Sequence, residues 1–285
     1  MNTDNFLKKV GELAKSALID EVTAYPKPGL VDSKNNGAHS DMSIDTFVKS
    51  AEALEEYFYR FAKYGKDTSS VGEKESFPNG RLIGVEAERA MFNATGGVNT
   101  HKGIIFSMGL ICMAVGRLYA LGKKISIHNI CSTVSLTVSG ICERDLQEIK
   151  SATYERDFLT NGEKIYTLYG IKGPRGEAES GFKTVREYSY PFMKECFEKG
   201  IEKNEVLVRT LLFLMSVVTD TNVINRGGKE AGKYVKDRSK TLYMAPLSEI
   251  EEFDKELIQK NLSPGGSADL LAVTWFIYSL EKIFN

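Results

Sequence analysis

The sequence is short of several things on which function often rests. It has four cysteines in 285 residues. Cys112, Cys131, Cys142 and Cys196 lie mostly in apolar segments and never form a CxxC pair, which excludes a disulfide framework and a cysteine-rich metal site and marks them as reduced core thiols. Three histidines without HExxH spacing argue against a catalytic zinc centre, and His128 reads as a helix-surface residue. Charge of one sign is not in excess: 37 Lys and Arg balance 38 Asp and Glu. With no basic tail or polybasic patch, this excludes a dedicated nucleic-acid binder while leaving room for a local cationic pocket. No apolar run is a clean bilayer span of about 20 residues. The longest, Ile104 to Leu121, is broken by Ser107, Gly109, Gly116 and Arg117 and reads as a buried helix. The opening MNTDNFLKKV has no apolar stretch leading to a cleavage site. The expectation is a cytoplasmic protein without a membrane segment.

What is present is a globular composition, 42% hydrophobic and 26% charged, with enough apolar residues for a sizeable core. Phe6, Val10, Leu13, Ala14, Ala17, Leu18 and Val22 recur at helical spacing opposite Lys8, Lys9, Glu12 and Lys15. The same period returns at Ile44, Phe47, Val48, Ala51, Leu54, Phe58 and Phe61, with Ser43 as the predicted N-cap. Further helices are predicted near 80–94, 103–121, 143–153, 182–199, 204–220, 249–261 and 267–284, with Ser248 and Glu251 as a capping box for one of them. Strand signals are few; TVSLTV at 133–138 alternates well enough to suit a half-buried strand and supports a helix only weakly. No fixed-period repeat appears. The fold class expected is all-α, a single-domain multi-helix bundle over 1–285 with polar functional loops.

Three stretches read as non-helical and polar: 26–42, 161–181 and 219–229. Each concentrates charged, amide and Gly residues between apolar helices, as loops that carry a site do. Residues 65–79 read as a bland polar connector. In TGGVNTHKG at 95–103 a Gly pair, Asn99, Thr100, His101 and Lys102 stand before an apolar helix, where backbone amides and cations attract phosphate. It is not a Walker A motif, because Gly103 follows Lys102 instead of preceding it. In the first loop, Asp32, His39 and Asp41 follow a Pro-Lys-Pro-Gly turn and can serve as general base or hold Mg2+ through water, although Asp41 also suits a helix cap. Arg175 is able to clamp phosphate, with Glu177 two positions on. Asp220 and Asn222 offer hard oxygen ligands beside Arg226 and Lys229.

Five blocks, PKPGLVDSKNNGAHSDM at 26–42, TGGVNTHKG at 95–103, YGIKGPRGEAESGF at 169–182, DTNVINRGG at 220–228 and SPGGSADLLAVTWF at 263–276, resemble in content and order the triphosphoribosyl-dephospho-CoA synthase family, over nearly the whole chain. The resemblance implies a mostly helical single domain, ATP and 3'-dephospho-CoA as substrates, and a product that passes to the machinery that loads an apo acyl carrier protein of citrate lyase or malonate decarboxylase. The ribose 2'-hydroxyl of dephospho-CoA displaces adenine from C1' of ATP. An alpha linkage made from beta-configured ATP implies inversion by direct attack. A homo-oligomer is compatible with this.

On that basis Asp32 and Asp41 are expected as general base and metal ligand, with His39 as the alternative base and Glu177 stabilising charge at C1'. Lys27, Lys102, Arg175, Arg226 and Lys229 are expected to hold phosphates beside Asn99, Thr100 and His101. Asp32, Asp220, Asn222 and Asp269 are the expected Mg2+ or ribose ligands. Two other readings compete: a Mg2+-dependent nucleotide or ADP-ribosyl glycohydrolase, in which water replaces the acceptor, and a non-enzymatic nucleotide-binding helical protein.

Overall fold

The computed structural model describes residues 1–145 and 159–285. Its first helix, α1 (Thr3–Thr23), opens on Asn2, whose side chain accepts a hydrogen bond from the Asn5 amide, and buries the predicted stripe from Phe6 to Val22. α2 (Ile44–Asp67) opens on Ser43 as expected, in a reciprocal capping box with Thr46. α4 (Lys102–Ala120) is the centre of the molecule. Among the described residues it is the one single helix long and apolar enough to cross a bilayer, yet 78% of that stretch is buried inside the protein, so its apolarity is accounted for by packing. α1 and α4 flank α2, and α12 (Gly265–Phe284) packs on α1, α4 and α9 (Lys203–Val217). One continuous apolar cluster runs through these helices. There is no strand among the described residues.

Glycine sets how closely α2 and α4 approach. A Cβ on Gly116 would lie 1.8 Å from the Ala62 carbonyl oxygen, and one on Gly65 would lie 1.9 Å from that of Met113. Even one methyl group must push the two helices apart. Gly116→Ala is therefore expected to lower the unfolding free energy by about 2–3 kcal/mol, the range for overpacking a rigid core, as read from the urea midpoint.

Several sequence expectations change in detail. The connector at 65–79 is largely helical: α2 continues to Asp67 and α3 (Glu73–Ala94) begins well before residue 80, with Pro78 inside it. Pro78 omits one backbone bond there, but Phe77 and Gly80 are buried on the same turn, and the Tyr64 hydroxyl donates to the Ser76 carbonyl at 2.8 Å. The segment 133–138 belongs to helix α5 (Ile127–Thr137), because Ile130, Cys131, Val134 and Thr137 fall on one buried face and Ser126 caps the start. The 161–181 stretch contains α6 (Asn161–Tyr169), opened by a Thr160–Glu163 capping box and closed by Gly170 at φ 70°, then α7 (Gly173–Glu179) with Pro174 in its first turn. The 219–229 stretch opens α10 (Thr221–Leu242), which kinks at Gly228, where φ is 76°.

The helix expected at 182–199 forms but widens to a π-turn over Val185–Ser189 before α8 (Tyr190–Glu198), where Pro191 has no N–H to give. α11 (Leu247–Gln259) starts on Pro246 without a side-chain cap, so the Ser248–Glu251 capping box is not made. Of the helix expected at 143–153, residues 141–145 are helical and the remainder lies outside the described residues. All four cysteines are free and buried, and burial pushes the thiol of Cys131 up to about 12. His128 is exposed on α5.

Candidate active site

The segments flagged in the sequence converge. A cavity of about 1270 Å³ opens between α3, α4, α7, α10 and the start of α12, floored by the end of α1. Lys27, His39, Asn99, Thr100, His101, Lys102, Arg175, Glu177, Asp220, Asn222, Arg226 and Asp269 all line it. Asp32, Asp41 and Lys229 do not.

The first loop is held in place from below. Asp32 is buried and accepts from the backbone amides of Lys27 at 3.2 Å, Lys34 at 2.7 Å and Asn35 at 2.9 Å. Asp254 of α11 accepts from the Gly29 amide at 2.8 Å and the Asn35 side chain at 3.0 Å. Gly29 has φ 71°, and a Cβ there would meet the Leu262 carbonyl oxygen at 2.2 Å, so only glycine fits. Asp32 thus shapes the turn that aims Lys27, and its oxygens are committed to amides; the expected base and metal duties do not suit it. Asp41 is exposed beside His39, 3.8 Å from Nδ1. Lys229 stands over the Tyr169 ring, 4.5 Å from its centroid.

At the deep end Lys27 and Glu21 form an ion pair, both nearly inaccessible. Lys27 is therefore not a free phosphate anchor. Asp269 is half-buried, with its exposed edge on the cavity, and its Oδ2 lies 2.6 Å from where a Gly103 Cβ would sit. It accepts no hydrogen bond from any described residue. Burial first, then the charges of Glu21 and Asp220, push its carboxyl well above the usual carboxylate range. Asp220 is satisfied by the protein: one oxygen caps α10 through the Asn222 and Val223 amides, and the other accepts from the Ser267 amide and hydroxyl at 2.8 and 2.9 Å. His101 is buried and pushed down to about 3 by burial and by Lys27. The Thr100 hydroxyl donates to Ser50 Oγ at 2.8 Å, which leaves the Ser50 proton for His101 Nδ1 at 2.6 Å and places the imidazole proton on Nε2, an atom without a partner among the described residues.

The outer part carries five cationic side chains, four of them parked on carboxylates. Arg81 and Arg175 share Asp145, at 3.3 and 3.1 Å, which leaves one positive charge in excess. Lys102 meets Glu88 at 3.1 Å and Lys172 meets Glu179 at 3.6 Å. Arg226 has no carboxylate partner among the described residues; it donates to the Ala38 carbonyl at 2.8 Å and to His39 Nδ1 at 3.2 Å. His39 Nε2 then donates to Ser263 Oγ at 2.8 Å, so both ring nitrogens are engaged. Burial and Arg226 hold this imidazole below its usual value against the opposite pull of Asp41. His39 positions Arg226 and has no free lone pair with which to act as a base. Both oxygens of Glu177 accept from Thr184, one from its hydroxyl at 2.6 Å and one from its amide at 3.3 Å.

The Gly96–Gly97 pair ends α3 with positive φ values, and the first amide of α4 is taken by Asn99 Oδ1 at 3.2 Å. That loop brings side chains to the cavity, with Gly103 of the first turn of α4 in its lining. Among the described residues no three His, Cys, Asp or Glu side chains are grouped to hold a metal ion. Of the four expected ligands, only Asn222 and Asp269 face the cavity with oxygens not taken by the protein. This suits a Mg2+ that arrives on phosphates and needs one or two protein oxygens.

Residues that the sequence reading passed over are Glu21, Arg81, Glu88, Asp145 and Lys172. Four of them look like ordinary solvent-facing charges. Glu21 carried a signal: it falls on the buried stripe of α1, beside Leu18 and Val22, where a carboxylate needs a partner.

Residues 7–285 match the family model described as CitG: ATP:dephospho-CoA triphosphoribosyl transferase. A Vibrio cholerae serotype O1 protein named "Probable 2-(5''-triphosphoribosyl)-3'-dephosphocoenzyme-A synthase" is 43% identical over 97% of this chain and 89% of its own length. A Citrobacter koseri protein of the same name is 40% identical over 95% of this chain and 90% of its own. A crystal structure of an Archaeoglobus fulgidus protein assigned to the triphosphoribosyl-dephospho-CoA synthases covers 81% of this chain and 97% of its own, with a TM-score of 0.50 at 17% identity; it bears on the fold alone. With nearly every residue inside the family match and relatives at this identity along its length, the chain belongs to the ATP:dephospho-CoA triphosphoribosyl transferase family.

Proposed function

We propose that the protein transfers the triphosphoribosyl group of ATP to the ribose 2'-hydroxyl of 3'-dephospho-CoA and releases adenine. The observation that carries this reading is the arrangement of the cavity: roomy enough for two nucleotides, rich in arginine and lysine toward its outer part, and ending in a carboxylate that accepts no hydrogen bond from any described residue. Two polyanions need the first two features, and sugar transfer needs the third.

In this reading Lys102, Lys172 and the Arg81–Arg175 pair exchange their carboxylate partners for phosphate oxygens, and Arg226, which has no carboxylate to give up among the described residues, takes phosphate directly. Asp269 takes the proton of the acceptor hydroxyl, because its raised pKa makes it a stronger base than an ordinary carboxylate. The 2'-oxygen bonds to C1' as the C1'–N9 bond breaks, and the proton taken from the hydroxyl is returned to adenine, which leaves neutral. Glu177, fixed by Thr184, offsets the positive charge that develops at C1'. The Asn222 amide oxygen would help hold a Mg2+ brought in on the triphosphate, which would neutralise phosphate charge. The product is passed, in the cytoplasm, to transfer onto an apo acyl carrier protein of citrate lyase or malonate decarboxylase.

The test is mass spectrometry of the protein with ATP and Mg2+, with and without dephospho-CoA. Free adenine and one coupled product are expected in equal amounts, and only with the acceptor present. Adenine release that is indifferent to the acceptor would establish the glycohydrolase instead, and nucleotide binding with no adenine release would establish the non-enzymatic reading.

A further inference from the structure

The cavity has an apolar limb. On α3, Phe77, Gly80, Arg81, Gly84 and Val85 face the cavity at helical spacing. Opposite them on α4 stand Phe106, Leu110 and Met113, and Phe61 of α2 forms the floor. The hollow exists because of glycine. A Cβ on Gly80 would meet the Met113 sulfur at 2.8 Å, while one on Gly84 would reach only Phe61, at 3.8 Å, so Gly84 borders open space. Phe106 is among its aromatics, whereas Tyr25 and Tyr169 lie outside the lining.

We infer that this limb is the subsite for the pantetheine arm of the acceptor, an inference that rests on the proposed transferase reading. The charge pattern fits the direction of the molecule. Arg81 emerges from the middle of the same stripe and shares Asp145 with Arg175, so the excess positive charge that suits a diphosphate lies beside the apolar wall. From Arg81 the α3 wall runs roughly 6 Å on to Val85, which takes the pantoyl end of an extended arm, and the open space beside Gly84 suits the geminal methyl groups of that unit. The limb thereby separates dephospho-CoA from ADP, which has the same adenosine diphosphate and the same 2'-hydroxyl but no arm.

Two variants test this with dephospho-CoA and ADP as alternative acceptors. Gly84→Leu fills the limb from α3 without forcing backbone apart; Val85→Glu, at an exposed helix position, puts a charge on the same wall with little risk to folding. Each is expected to weaken dephospho-CoA at least tenfold, in calorimetric Kd and in KM, while Kd for ADP and KM for ATP stay within twofold. The inference is overturned if wild-type protein binds the two acceptors equally, or if neither variant narrows the difference between them. The outcome is independent of turnover: loss of the difference in Kd with no adenine release from any mixture would keep the subsite and remove the transferase reading, whereas normal turnover with an unaltered difference would do the reverse.

Discussion

Asp269→Asn is expected to lose adenine release about 10³-fold, within the range for removal of a positioned general base, while melting no lower than the parent protein at neutral pH. The second half of this result follows from burial. The folded protein holds a proton on Asp269 to a higher pH than the unfolded chain does, because burial and the neighbouring Glu21 and Asp220 oppose ionisation. Between the ordinary aspartate value and the raised one, the folded state binds more protons, so this group lowers stability as pH rises and the lost stability is not recovered above the raised value. An amide at 269 removes that penalty. Activity runs the other way, since a base must be ionised, and the wild-type kcat is expected to climb with pH through the raised value. Turnover and melting measured over about pH 4 to 8 check both halves. A variant with wild-type turnover and the same rising limb would remove Asp269 from the chemistry. Loss of turnover accompanied by a fall in melting temperature at neutral pH would point to a structural role.

Much of this site could be read from the chain because sparse polar blocks between apolar helices are unusual, and most of the residues in them do reach one cavity. The helices of the core were equally legible, since Phe6 to Val22 and Ile44 to Phe61 keep strict periodicity. What one dimension hides is direction. Asp32, Asp41 and Lys229 sit in the right blocks but point elsewhere, because a carboxylate after a Pro-Lys-Pro-Gly turn is well placed to accept the amides of its own loop. Asp220 was legible as a functional block and is at the cavity wall, yet its first duty is to cap α10. The opposite error concerns Arg81 and Asp145. Only the fold, which brings Arg81 of α3 and Arg175 of α7 to Asp145, shows that two arginines share one carboxylate. The misread connector has a similar cause: Gly65 and Pro78 signal turns locally, but Gly65 is there to admit the Met113 backbone, and tertiary packing overrides the local signal.

Lys27→Met is expected to be among the most destabilising single changes, lowering the unfolding free energy by about 3–5 kcal/mol, because it strands Glu21 as a buried, unpaired charge. Lys27 and Glu21 are 2% and 7% exposed at their side chains, so water cannot substitute for the lost partner. The double change Glu21→Gln with Lys27→Met removes both charges and is expected to restore most of the loss, giving a coupling energy of more than about 1 kcal/mol by urea denaturation of the four proteins. Additive losses would show that the pair contributes only packing. The same cycle reaches the chemistry, because Glu21 is one of the two charges that raise Asp269. Taking it away relieves part of the pressure on that carboxyl, so the rising limb of kcat in Glu21→Gln should move to lower pH. A limb that stays in place while stability changes would separate the two carboxylates and leave Glu21 as a partner for Lys27 alone.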